Sequence, residues 1–191
     1  MRHAFMEKLA HELAEAEVAT LRYQFPYMQQ GRSRPDPPAV LTATVRAAIA
    51  AAVEAAPDLS LLAGGKSLGG RMTSHAFSEP APTGIFDVIR RVRGLSFFGF
   101  PLHPPGRPGT ERGEHLHCVK VPMLFLQGTR DTLADLTLLG PLCAKLAPRA
   151  TLHIVNGTDH AFHVLKRSGT TNEDVLRRLA RITASWADLL A

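Results

Sequence analysis

Apolar residues along the chain recur in two rhythms, one with helical spacing and one in short continuous runs. Residues 3 to 16 carry Phe5, Met6, Leu9 and Leu13 at helical spacing, which predicts an amphipathic helix. Residues 18 to 23 read as a strand, and residues 29 to 38 as a loop of Gly, Pro and Arg. From Asp36 a second helix shows Leu41, Val45, Ala48, Ile49, Ala52 and Val53 on one face, until Pro57-Asp58 stops it. A short apolar strand from Leu59 then runs into a glycine-rich turn and a third helix. A proline-bearing loop at 78 to 84 and a strand at 94 to 100 come next, followed by the most loop-like stretch, residues 101 to 109. An apolar strand from Val121, a helix over 132 to 146 and a strand from Ala150 complete the alternation. Thr171-Asn-Glu-Asp174 is a capping-box pattern, announcing a last helix that buries Val175, Leu179, Ile182, Trp186 and Leu189. Helices and strands in alternation predict an α/β fold, a mostly parallel sheet with helices on both faces.

The turn after the third predicted helix's preceding strand carries chemistry. Gly65-Lys66-Ser67-Leu68-Gly69 is a G-x-S-x-G pattern between a strand and a helix, the setting of a nucleophile elbow. A serine there is pushed into a sparsely populated backbone region. The flanking glycines remove Cβ atoms where strand and helix meet, and the Leu68 amide faces the same space as the hydroxyl. Gly-Lys-Ser also ends a phosphate-binding P-loop, but that motif needs a glycine five residues before its second glycine, and position 60 is Ser.

A serine hydroxyl needs a histidine to take its proton, and the histidine needs a carboxylate to fix its tautomer. The strand from Val121 leads into a turn ending in Asp131, and the strand from Ala150 into a turn ending in His160. Ser67, Asp131 and His160 therefore follow in the order Ser, Asp, His, each just past the carboxyl end of a strand. Asp131 has a second reading as the cap of the helix that follows, with Asp135 as its nearest rival for the acid. His163 rivals His160 but lies three residues beyond the turn, and Asp159 reads as a turn residue.

Six stretches carry a family resemblance: Met1-Arg-His-Ala-Phe-Met6, Leu21-Arg-Tyr-Gln-Phe-Pro-Tyr-Met28, Gly64-Gly-Lys-Ser-Leu-Gly-Gly-Arg71, Phe98-Phe-Gly-Phe-Pro-Leu-His-Pro-Pro-Gly106, Leu126-Gln-Gly-Thr-Arg-Asp131 and Gly157-Thr-Asp-His160. Together they resemble the small α/β-hydrolases named after testis-expressed and non-specific-lethal-complex subunit proteins, close to the dienelactone hydrolases. The resemblance implies an α/β-hydrolase fold without a large cap, with Ser67, Asp131 and His160 as triad, and supplies no substrate. It also marks a departure. Family members begin with a strand and a His-Gly-Ala-Gly-type loop that would lie upstream of Met1, so the chain is expected to be N-terminally truncated, with Leu68 N–H the one identifiable oxyanion donor. Losing one such donor costs roughly two to three orders of magnitude in turnover. The missing strand would belong between residues 18 to 23 and the elbow strand. Removing it would leave a gap of roughly 9 to 10 Å, so either the sheet closes up or the true start lies upstream, and the upstream start is the expectation.

At 191 residues, 45% hydrophobic and 20% charged, the chain is one domain's worth of ordinary globular material, spanning 1–191. The formal net charge of +5 invites a nucleic-acid reading, yet the basic residues are scattered arginines apart from Arg90-Arg91-Val-Arg93, and no nucleic-acid-binding signature accompanies them. His115-Leu-His117-Cys118 offers zinc donors without a second pair at ligand spacing, so neither a metal nor another cofactor is expected. Two cysteines, Cys118 and Cys143, make no disulfide framework and point to a reducing cytoplasm. The start of the chain, with Glu7, Lys8, His11 and Glu12 among its apolar residues, does not read as a signal peptide, and no apolar run is expected to be long enough to cross a bilayer. The function expected is a serine hydrolase of a small ester, thioester or lactone, with Tyr27, Phe98, Phe100 and His103 as pocket candidates. The alternative is a non-catalytic hydrolase scaffold that binds a partner protein.

Overall fold

A four-stranded parallel sheet organises the chain, its strands following one another across the sheet in sequence order. The computed structural model describes residues 3–80 and 84–190. Residues 1 and 2 of the first resembling stretch and residues 81–83 of the predicted loop lie outside the described residues. In chain order the elements are α1 (Ala4–Glu15), α2 (Pro26–Gln29), α3 (Pro38–Ala55), β1 (Leu61–Lys66), α4 (Leu68–Ser78), α5 (Phe86–Ile89), β2 (Val92–Phe98), a 3₁₀ segment (Glu111–Cys118), β3 (Met123–Gly128), α6 (Leu136–Lys145), β4 (Ala150–Val155) and α7 (Asn172–Asp188), with a 3₁₀ turn at Lys166–Ser168.

Parallel strands covered on both faces must be apolar throughout, and every residue of β3 is buried. The two-residue period of the strands splits the core into two layers. Leu95, Phe97, Met123 and Phe125 pack on one face with Leu41, Val45 and Ile49 of α3, Met72 of α4 and Leu139 of α6. Phe98, Leu124, Leu126 and Val155 pack on the other with Leu9 and Leu13 of α1 and Val175, Leu179 and Trp186 of α7. The capping box at Thr171 forms, with Thr171 Oγ1 accepting from Asp174 N–H and Asp174 Oδ2 accepting from Thr171 N–H. Leu189 departs from its predicted place. It sits past the end of α7 and is 81% exposed.

Residues 18 to 23 form no strand. Extended backbone becomes a strand only where a neighbour completes its ladder, and among the described residues β1 pairs with β2 alone. Between β1 and this segment runs a groove of about 430 Å³, lined by Leu13, Val18, Leu21, Ile49, Leu62 and Gly64 among others. β1 is therefore an edge of the sheet among the described residues. The predicted strand at 94 to 100 ends earlier, because Gly99 (φ +69°) turns the chain directly after β2 and sends Phe100 into the core.

One expectation about membranes is corrected. α3 is the helix, among the described residues, long and apolar enough by length and composition to cross a bilayer, with mean hydropathy 1.4. Much of that value comes from alanines, whose methyl groups raise hydropathy without making a continuous apolar surface. In the fold α3 turns Leu41, Val45 and Ile49 inward, and Arg46 donates to the carbonyl of Ala76 on α4.

Candidate active site

Ser67 stands between β1 and α4 with φ +51° and ψ −119°, a conformation that costs a non-glycine residue on the order of 1–3 kcal/mol. The surroundings hold it there. Its N–H donates to Phe98 O at 3.1 Å, and Arg71 N–H donates back to Ser67 O at 3.1 Å. The glycine roles differ from those read in the motif. A Cβ on Gly65 would lie 3.1 Å from backbone atoms of Gly69 and Gly70, and one on Gly70 would lie 2.7 Å from Gly65 O. A Cβ on Gly69 would meet nothing within 4 Å. The close approach of strand and helix thus rests on Gly65 and Gly70, while Gly69 faces open space.

The turns after β3 and β4 are stitched to each other. Arg130 N–H donates to Thr158 O at 2.9 Å, and Gly157 N–H donates to Thr129 Oγ1 at 2.9 Å. Gly128 permits the contact, since a Cβ there would lie 2.4 Å from Thr158 O. This brings Asp131 beside His160. His160 Nδ1 lies 2.7 Å from Asp131 Oδ2, and its Nε2 lies 2.9 Å from Ser67 Oγ. Asp131 is fully buried at its side chain, while His160 remains 26% exposed. Asp131 Oδ1 also accepts from Leu133 N–H at 2.8 Å, and Oδ2 accepts from Gln127 Nε2 at 2.5 Å. With a carboxylate that only accepts at Nδ1, the imidazole keeps its proton there and presents Nε2 as the acceptor for the Ser67 hydroxyl.

The rivals take other places. Asp135 caps α6, its Oδ1 accepting from Thr137 N–H at 2.8 Å and Thr137 Oγ1 at 2.7 Å, and these bonds hold its carboxyl below the usual range. Asp131 is thus not the cap. Asp159 makes a turn, its Oδ1 accepting from the amides of Ala161 and His163, both at 2.9 Å. His163 is exposed, with its ring 4.0 Å from Asp159.

Beside Ser67 lies a cavity of about 280 Å³, lined by residues 64–69 together with Met6, Tyr23, Phe25, Tyr27, Met28 and others from residues 21–28. Leu68 lines it as the first residue of α4, so its amide is one of the N–H groups that a helix leaves without an internal acceptor. Burial pushes the Tyr23 phenol up to about 12, so it stays a neutral hydroxyl. Of the four expected pocket residues, Tyr27 lines this cavity and three do not. Phe98 and Phe100 belong to the two core layers, Phe98 through the side-chain alternation of β2 and Phe100 because the turn at Gly99 sends its ring inward. His103 is buried and structural. Its Nδ1 lies 2.9 Å from Pro104 O, and its Nε2 accepts from Asp135 N–H at 2.9 Å. His115 likewise has partners in the fold, stacking on His75 at 3.6 Å with Nε2 2.7 Å from Ser74 Oγ.

Gln127 escaped the sequence reading. It sits fully buried in β3, donates to Asp131 and accepts from Phe100 N–H at 3.0 Å. The one signal available was an amide inside an otherwise apolar strand.

The fold and this geometry agree with comparisons to known proteins. A family model described as an alpha/beta hydrolase domain matches residues 1–188. The chain belongs to this family. Among solved structures it is similar to an alpha-beta serine hydrolase homologue from Coxiella burnetii, with a TM-score of 0.71 and 18% identity over 96% of this chain and 77% of that one. An α/β serine hydrolase without lid from Xanthomonas campestris gives 0.70 and 19%, over 97% and 75%. A cold-adapted esterase from an Arctic intertidal metagenomic library gives 0.60 and 15%, over 99% and 76%. At these identities the likeness shows the fold.

Proposed function

We propose that this alpha/beta hydrolase is a serine hydrolase that cleaves small carboxylic esters, thioesters or lactones with an apolar acyl part. The observation that carries the reading is the unbroken chain Asp131–His160–Ser67, ending on a strained serine at the mouth of a cavity. In this mechanism Ser67 Oγ attacks the carbonyl carbon as His160 Nε2 takes its proton, and Asp131 stabilises the imidazolium. The Leu68 amide receives the oxyanion. Collapse breaks the bond to the leaving group, which takes the proton from His160. Water, activated by the same nitrogen, then attacks the acyl-serine, and the acid departs as Ser67 regains its proton.

The cavity beside Ser67, about 280 Å³, is small against the roughly 300–1,000 Å³ of ligand pockets. Met6, Leu21, Phe25 and Met28 suit a short apolar acyl group. The resemblance to testis-expressed and dienelactone hydrolases favours including lactones among the substrates. Cys118 and Cys143 are unpaired, which fits a reducing compartment such as the cytoplasm. A panel of short-chain p-nitrophenyl esters, thioesters and lactones tests the activity. Turnover that disappears in Ser67→Ala supports it, and a full rate retained by Ser67→Ala overturns it.

A further inference from the structure

Lys66 immediately precedes the nucleophile, and its side chain projects to the α1 and α7 face of the sheet. Its Nζ donates to the backbone carbonyl of His160. It also lies 5.2 Å from the ring centroids of both Phe5 on α1 and Phe162 in the His160 turn. Those two rings stack on each other at 5.6 Å. Across Gly99 the ammonium and the imidazole are neighbours, since a Cβ built there would lie 3.4 Å from Lys66 Nζ and equally from His160 Nδ1 and Cε1. The turn it grips is itself strained, with Phe162 at φ +62°. An ammonium among phenyl rings is a poor choice for stability alone, because burial costs the charged form and an apolar side chain would fill the same space.

We propose that Lys66 is a positioning residue for His160, its ammonium tying the turn that carries the imidazole to the strand that ends at Ser67, so that turnover follows the charge on Lys66. The inference rests on the hydrolase reading above. The groups facing Nζ are Phe5 from α1, Asp131 from the turn after β3, and Asp159, His160 and Phe162 from the turn after β4. Burial brings the ammonium down to about 8, against the opposing pull of the Asp131 and Asp159 charges. Above that pH the amine is neutral and loses both the charge-assisted bond and the cation–π attraction that hold the turn. Turnover of the wild type should therefore decline on the alkaline side with a midpoint near pH 8.

The test compares the wild type, Lys66→Met and Lys66→Arg in kcat and KM against pH on the best p-nitrophenyl ester, with thermal melts and amide exchange alongside. Lys66→Met is expected to lose about tenfold or more in kcat at pH 7, with KM nearly unchanged and no alkaline decline near pH 8, as misplacement of a base by a fraction of an ångström predicts. Its Tm at pH 7 should equal or exceed that of the wild type, and exchange should quicken only at residues 160–163. Lys66→Arg, charged at all working pH values, should restore turnover and move the alkaline decline upward. A Lys66→Met enzyme with wild-type kcat and pH profile overturns the inference. So does a loss of kcat accompanied by a lowered Tm and faster exchange throughout, which marks a merely structural lysine. A folded wild type that neither hydrolyses any ester nor labels at Ser67 removes the hydrolase reading itself, and the role of Lys66 with it.

Discussion

Replacing Gln127 by Met removes two hydrogen bonds at the base of the site while keeping side-chain length. The amide is fully buried, donating to Asp131 Oδ2 at 2.5 Å and accepting from Phe100 N–H at 3.0 Å. The Phe100 amide, left unpaired in the core, costs about 1–3 kcal/mol, and the lost bond to a carboxylate about 1.5–3 kcal/mol. Relief from burying the amide of Gln127 offsets about 1–2 kcal/mol of this. Taking the middle of each range, the net destabilisation is about 3 kcal/mol. For a domain of this length each kcal/mol lowers Tm by about 2–4 °C, so the midpoint should fall by about 6–12 °C. Asp131 keeps Leu133 N–H on Oδ1 and His160 on Oδ2 but loses the second donor on Oδ2, so labelling of Ser67 by a fluorophosphonate should slow by about tenfold under conditions where the variant is folded. Thermal melts by circular dichroism and labelling kinetics read the two effects separately. A variant within about 1 kcal/mol of the wild type, labelling at the wild-type rate, would show that Gln127 neither supports Asp131 nor satisfies Phe100.

Two further outcomes follow from the geometry. Gly70→Ala places a Cβ 2.7 Å from Gly65 O, in backbone that cannot yield, and should destabilise the fold and suppress labelling; Gly69→Ala meets nothing within 4 Å and should be neutral or stabilising by up to about 1 kcal/mol in urea melts. The His115 imidazole is held down at about 3, first by burial and then by the His75 and Arg71 charges. The unfolded chain therefore takes up a proton near pH 6.5 that the folded one refuses until about 3, so this group removes stability as pH falls through that window. His115→Phe, which keeps the stack on His75, should flatten the decline in denaturant midpoint between those values; an unchanged slope would refute the assignment.

The site was legible in the sequence because its parts are local. Ser67, Asp131 and His160 each close a turn directly after an apolar strand, and the strand-turn signal places all three at one sheet edge before any tertiary contact is known. What escaped depends on neighbours distant in sequence. Residues 18 to 23 have strand-like composition but no ladder partner, and composition does not report pairing. Phe98, Phe100 and His103 read as pocket residues from their place near the carboxyl edge, yet the alternation of β2 buries Phe98, the left-handed turn at Gly99 sends Phe100 into the core, and His103 is tied to Pro104 and Asp135. Lys66 read as an ordinary motif position, and Gln127 drew no reading at all. Their roles exist only once β1, β3 and the His160 turn meet.

The central claim is that Ser67 is a nucleophile activated by His160, and intact-protein mass spectrometry after exposure to a fluorophosphonate addresses it directly. The expected result is a single adduct mapped to the peptide containing Ser67, absent in Ser67→Ala and strongly slowed in His160→Ala. A folded protein that remains unmodified, or that carries its adduct elsewhere than Ser67, would contradict the account.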